Sequence, residues 1–90
     1  MNPEYDPYKP IDAEEWLALS ELDRIDLVFE YHLASGIEVP RLEAHASFHV
    51  VVENQIAEDV PEVRTTLARL MKEGLDRHDA IHAIATVLAD

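Results

Sequence analysis

The run from Leu42 to Ile56, LEAHASFHVVVENQI, constrains this chain more than any other stretch. Its spacing predicts a helix, and at about 100° per residue Leu42, Val52 and Ile56 share one stripe. His45, His49 and Glu53, at successive i, i+4 steps, fall in that same stripe. A titratable group on a core face is costly unless it is hydrogen-bonded, paired or bound to a metal. This face therefore needs partners that a plain aliphatic core would not supply. Phe48, Val50 and Val51 lie off the stripe, so the helix is apolar almost all round. Such a helix is either central in a bundle or covered by a partner.

A second histidine pair with the same spacing, His78 and His82, stands near the C-terminus. With five histidines in ninety positions, chance gives roughly 0.2 pairs at that spacing. Two separate pairs point to chemistry. Side chains four apart on a helix have Cβ atoms about 5–6 Å from each other, and two imidazoles so placed can reach one metal ion. The expected ligands are His45, His49, His78 and His82. Glu53 is expected as a fifth ligand, as a carboxylate orienting a ring, or as a general base, the one catalytic role assigned. Imidazole with carboxylate suits a divalent ion, zinc, iron, nickel or manganese. Two other readings stay open, a buried His–Glu hydrogen-bond network that fixes helix packing and a pH-sensitive surface. His32, beside Tyr31 at the end of its helix, reads as structural, a ring placed to meet the helix C-terminus. Asp76 and Asp79 read as caps. Arg64 either reaches a buried carboxylate or lies at the surface.

Pro3, Pro7 and Pro10 exclude a helix over residues 1–11 and predict an extended arm, with Tyr5 and Tyr8 packing it on the body. Asp12 with Glu15 is a capping-box pattern that starts a short turn ending near Leu19, anchored by Trp16 and Leu17. Ser20 caps a helix over about 21–35, with Leu22, Ile25, Phe29 and Leu33 at helical spacing and Gly36 as its stop. A short extended link, 37–40, leads into the central helix over about 41–57. Pro61 opens a helix bearing Val63, Leu67, Leu70 and Met71 and ending at Gly74. Asp76 caps the last helix, where Ile81, Ala85 and Leu88 share a stripe with His78 and His82 and where Ala85 and Ala89 leave room for another helix. No alternating run predicts a strand. The expected fold is all-α, a small antiparallel bundle of about four helices, with residues 12–90 one helical domain behind the arm.

Composition narrows the function classes. The 48% apolar content supports a globular core. The chain has no cysteine, so any metal must be held by histidine and carboxylate. The net charge of −12 is concentrated in residues 1–59, with 14 acids against 3 bases. Such a body repels phosphate backbones, so nucleic acid is not an expected partner. No apolar run approaches the roughly 20 residues of a membrane span. The start lacks a basic and apolar leader, so the expected location is the cytoplasm.

The order His45-x3-His49-x3-Glu53-x-Gln55, Pro61-x2-Arg64-x5-Leu70 and His78-x3-His82 resembles an uncharacterised family of small helical bacterial proteins, a domain of unknown function. The likeness covers about residues 40–90. The proline-rich and acidic N-terminal half has no counterpart in the family, and the aromatic-containing C-terminal tail of its members is missing. The resemblance implies a bacterial, cytoplasmic helical protein and no established reaction or small-molecule substrate. Three functions follow from the residues. The chain is expected to be a metal-binding bundle. An open coordination position would make it a metalloenzyme, hydrolytic with zinc or redox with iron. The third is a non-enzymatic module that pairs as a homodimer through its surplus apolar residues, its His/Glu network being structural.

Overall fold

The computed structural model describes residues 5–36 and 40–89, and among them finds five helices and no strand. These are α1 (Ala13–Ala18), α2 (Glu21–Ser35), α3 (Leu42–Ala57), α4 (Pro61–Lys72) and α5 (Arg77–Ala89). The fold is all-α, a small bundle as the hydrophobic spacing predicts. The four main helices are α2 to α5, and the turn capped by Asp12 is long enough to count as a short fifth. Residues 1–4, the link 37–39 and the side chains of Leu88 and Ala89 lie outside the description, as do the expectations for them.

The helix ends follow local chemistry. Asp12 accepts from the Glu15 N–H and Ser20 from the Asp23 N–H, each side chain satisfying a donor that the first turn leaves unpaired. Asp76 does the same for the Asp79 N–H at 2.8 Å. Pro61 sits in the first turn of α4, where no N–H is needed. Gly36 ends α2 with φ 74°, a left-handed conformation open to a residue without Cβ. At the end of α3 that position falls to Asp59, with φ 59°, and the Val60 N–H closes back on the Gln55 carbonyl. A six-residue helix such as α1 would not persist alone. Arg24 holds it by donating to the carbonyls of Leu17 and Leu19, and the Trp16 indole N–H donates to Asn54 Oδ1 at 2.9 Å.

Helix α3 lies at the centre and touches each of the other four. This explains its nearly all-round apolar surface, because it serves two cores. On one side Ala46 and Val50 pack with Tyr5, Trp16 and Val28. On the other, Val52, with Phe48 and Ile56 beside it, packs with Ile81, Ala85, Val63 and Leu67. His45, His49 and Glu53 project between the two cores. Val51, on the remaining sector, is exposed. The two apolar faces thus bury the polar stripe, and burial gives that stripe its unusual chemistry.

The described part of the arm packs on the body through Tyr5 and Pro7, both buried, and makes a turn over residues 6–9. The Lys9 N–H reaches the Asp6 carbonyl at 3.2 Å, and Asp6 Oδ1 accepts from the Tyr8 N–H at 2.9 Å. An Asp side chain that closes on the backbone two residues on, followed by proline, favours such a turn. No helix among the described residues is long and apolar enough to cross a membrane.

Candidate metal centre

Five histidines from three helices meet between the cores: His32 from α2, His45 and His49 from α3, and His78 and His82 from α5. One potential ligand atom from each of His32, His49, His78 and His82 lies within 4.8 Å of the other three. His45 joins this group from the side, its Nε2 being 3.1 Å from His32 Nε2 and 3.2 Å from His82 Nε2. For comparison, two nitrogens bound to one tetrahedral zinc at about 2.0–2.1 Å are roughly 3.3 Å apart. His32 and His49 are buried and the other three rings partly so. Helix α5 carries its pair on the face that meets α3, and α2 presents His32 one turn after the buried Val28.

Hydrogen bonds decide which nitrogens face inward. His32 Nδ1 is 2.8 Å from the Val28 carbonyl oxygen, which can only accept. That nitrogen carries the hydrogen, so in the neutral ring Nε2 offers its lone pair. The Tyr5 hydroxyl donates to Glu53 Oε2 at 2.5 Å and lies 2.8 Å from His49 Nδ1. Having one hydrogen, already given to the carboxylate, the hydroxyl accepts from the His49 Nδ1–H. His49 Nε2 is left bare. It and His78 Nε2 are buried with no hydrogen-bond partner.

Burial and crowding make His45, His49, His78 and His82 resist protonation. Burial, then the charge of its neighbouring rings, pushes His49 down to about 2. The same two causes push His45 and His82 down to about 4. Burial also lowers His78, with His32 adding to it and Asp76 and Asp79 opposing. Near neutral pH these are uncharged imidazoles, the form that ligates a metal. Burial, and after it the charge of Glu53, holds the Tyr5 phenol far above its usual value, so the hydroxyl keeps its hydrogen.

Glu53, expected as a ligand, an orienting carboxylate or a base, is occupied elsewhere. Arg77 donates to both its oxygens, Nη2 to Oε1 at 2.7 Å and Nη1 to Oε2 at 2.9 Å, and neither side chain is more than 3% exposed. Glu53 reaches His49 through the Tyr5 hydroxyl. Arg64 lies at the surface, paired with Asp59. His32, which reads as structural in the sequence, stands in the middle of the cluster instead. It has no i, i+4 histidine, so only the packing of α2 against α3 could reveal it. Arg77 and Tyr5 carried no signal for this role beyond the expectation that the arm's tyrosines pack inward. Tyr5, Tyr8 and Tyr31 flank the cluster, with ring centroids 5.5 Å from His49, 5.0 Å from His78 and 5.8 Å from His78, respectively.

The hydroxyl of Tyr5 thus has a measurable task. Tyr5→Phe leaves the His49 Nδ1–H without its partner and takes one donor from Glu53. It is expected to cost about 1–3 kcal/mol, read by urea denaturation followed by circular dichroism. An unchanged midpoint would remove the tyrosine from this chain of bonds.

Comparison of the chain with protein-family models, curated proteins and solved structures returns no match.

Proposed function

We propose that this chain binds a divalent transition-metal ion through His32, His45, His49, His78 and His82. The observation that carries this reading is the pair of buried nitrogens without a hydrogen-bond partner, Nε2 of His49 and of His78, within a group of converging imidazoles. A network serving packing alone would satisfy its own buried atoms, because an unpaired one costs free energy. His45 Nε2 is within hydrogen-bond distance of His32 and His82, but the nitrogens of His49 and His78 have no such partner, and a bound cation would supply one. Glu53 and Arg77 support the same reading, with Glu53 orienting His49 through Tyr5. With the carboxylate engaged by Arg77, the donors are nitrogen, which favours zinc, nickel or iron over manganese.

The test is calorimetric titration of tag-free full-length protein, first stripped with a chelator, with zinc or nickel. One equivalent is expected to bind. His49→Ala is expected to weaken binding by more than the roughly 10–100-fold typical of losing a group that merely supports a ligand. Failure to bind either ion, or affinity unchanged when all five histidines are replaced, would overturn the proposal.

The second reading, a homodimer, rests on apolar side chains left exposed on α2 and α5: Leu22, Leu33 and Val87. The sequence basis for it is the surplus on α3, of which Phe48 and Val50 pack within the chain and Val51 stays exposed. Sedimentation velocity at low micromolar concentration separates the two, since a single monomeric species removes the dimer.

A further inference from the structure

The five rings are not a loose crowd. His32, His49 and His82 are in mutual contact, with centroids 5.2–6.2 Å apart. His45 touches all three, at 4.7–5.9 Å, and so does His78, at 4.1–5.9 Å. His45 and His78 are the pair that do not touch. Three rings form a triangle and one ring stands on each side of it.

We infer that the site takes a single ion in a five-nitrogen, trigonal-bipyramidal set, with His32, His49 and His82 around the triangle and His45 and His78 at the two poles. This rests on the metal-binding reading above and adds the coordination number and the class of ion. At metal–nitrogen distances of about 2.0–2.1 Å, a polar and an equatorial nitrogen are roughly 2.9 Å apart. The two distances that His45 makes with the triangle, 3.1 and 3.2 Å, are close to that value. The equatorial nitrogens, within 4.8 Å of one another, would close to roughly 3.6 Å around the ion. His32 and His49 are held for this by the hydrogen bonds on their far nitrogens, to the Val28 carbonyl and to Tyr5.

Two consequences follow from the donors. Five imidazoles complete the coordination without water or substrate, whereas metal-assisted hydrolysis needs an open position. The site is therefore one that holds an ion. Second, all five donors are neutral, because Arg77 keeps the Glu53 carboxylate engaged outside the set. A neutral set in a partly buried place offsets none of the ion's charge, so it favours the divalent over the trivalent state. Nitrogen donors also rank the late first-row ions above manganese, magnesium and calcium.

Cobalt(II) is the probe, since its visible absorption separates five-coordinate from tetrahedral geometry. Full-length tag-free protein is titrated with cobalt(II) alone, alongside His45→Gln and His78→Gln, both partly exposed positions where glutamine can be accommodated. Circular dichroism confirms that each variant is folded. The wild type is expected to take one equivalent with a five-coordinate spectrum. Each variant is expected to change that spectrum and to lose roughly tenfold or more in affinity. A spectrum altered by one variant and not the other puts the ion on one side of the triangle and overturns the inference. So does a tetrahedral wild-type spectrum, or uptake of two ions, one on each side. In those cases metal binding itself stands. If the wild type binds neither cobalt nor the zinc and nickel of the previous test, both proposals fall.

Discussion

Arg77→Ala is expected to lower the unfolding free energy by about 3–5 kcal/mol, the usual consequence of removing one partner of a buried ion pair. Glu53 has no exposed surface and Arg77 has 3%. The pair gains its attraction only because both charges are already out of water, and either one alone would be left there unpaired. The substitution also strips Glu53 of a donor at each oxygen and leaves the Pro7 carbonyl, which accepts from Arg77 Nη1 at 3.0 Å, without its partner. The arm, the central helix and the start of α5 meet at this one guanidinium. Stabilities of small domains are typically about 5–15 kcal/mol, so this loss is a large fraction of the total. Urea denaturation measures the loss. The double variant Glu53→Met/Arg77→Met separates pairing from packing. Replacing both charges by apolar groups of similar size is expected to recover part of the loss, because the orphaned charge is removed while the Tyr5 hydroxyl is left without its carboxylate and the Pro7 carbonyl without its donor. A loss under about 1 kcal/mol for Arg77→Ala would mean that water reaches Glu53 and that the pair is not buried in solution.

The sequence disclosed whatever depended on local spacing. The i, i+4 rule placed His45, His49 and Glu53 on one stripe of α3 and His78 and His82 on one stripe of α5, because backbone geometry alone fixes those relations. The caps at Asp12, Ser20 and Asp76 and the stop at Gly36 were legible for the same reason, each being a bond between a side chain or turn and the nearest backbone. What stayed hidden was set by packing between helices. His32 is 13 residues from His45, and the 3.1 Å between their ring nitrogens depends on how α2 crosses α3. Its position near a helix C-terminus suggested a sufficient role, so nothing in the residues called for another. Glu53 illustrates the opposite limit. Its spacing after His49 suggested a ligand, but a carboxylate takes the strongest donor within reach, and that donor is Arg77, 24 residues further on. Arg64 matched the same need on paper and lies with 60% of its side chain exposed. The choice between two arginines was made by the direction α5 takes out of its cap.

Acid is expected to destabilise the metal-free protein before its surface carboxylates titrate. The folded-state values of His45 and His82, about 4, and of His49, about 2, lie below the value near 6.5 that a histidine has in an unfolded chain. Above pH 6.5 these rings are neutral in both states, and pH has no hold on stability through them. As pH falls below 6.5 the unfolded chain takes up protons that the fold refuses, so stability decreases. The decrease continues until the folded-state values are reached, about 4 for the half-buried pair and about 2 for His49. The slope is at most about 1.4 kcal/mol per pH unit for each histidine. For the buried His49 that amounts to roughly 2–3 kcal/mol by pH 4.5, while solvent screening makes the shares of His45 and His82 smaller. Zinc at about 100 times its dissociation constant is expected to add roughly 2.7 kcal/mol at pH 7. That increment shrinks in acid, because protons then compete for the same lone pairs. The measurement is the urea midpoint at intervals from pH 7.5 to 4.5, with chelator and with zinc. His49→Phe, which cannot titrate, is expected to flatten the chelator curve between pH 6.5 and 5, where carboxylates have scarcely begun to protonate. A chelator curve already flat in the wild type over that interval would show that the rings take up protons as freely in the fold as outside it, and the cluster would then not be the closed, neutral set its hydrogen bonds describe.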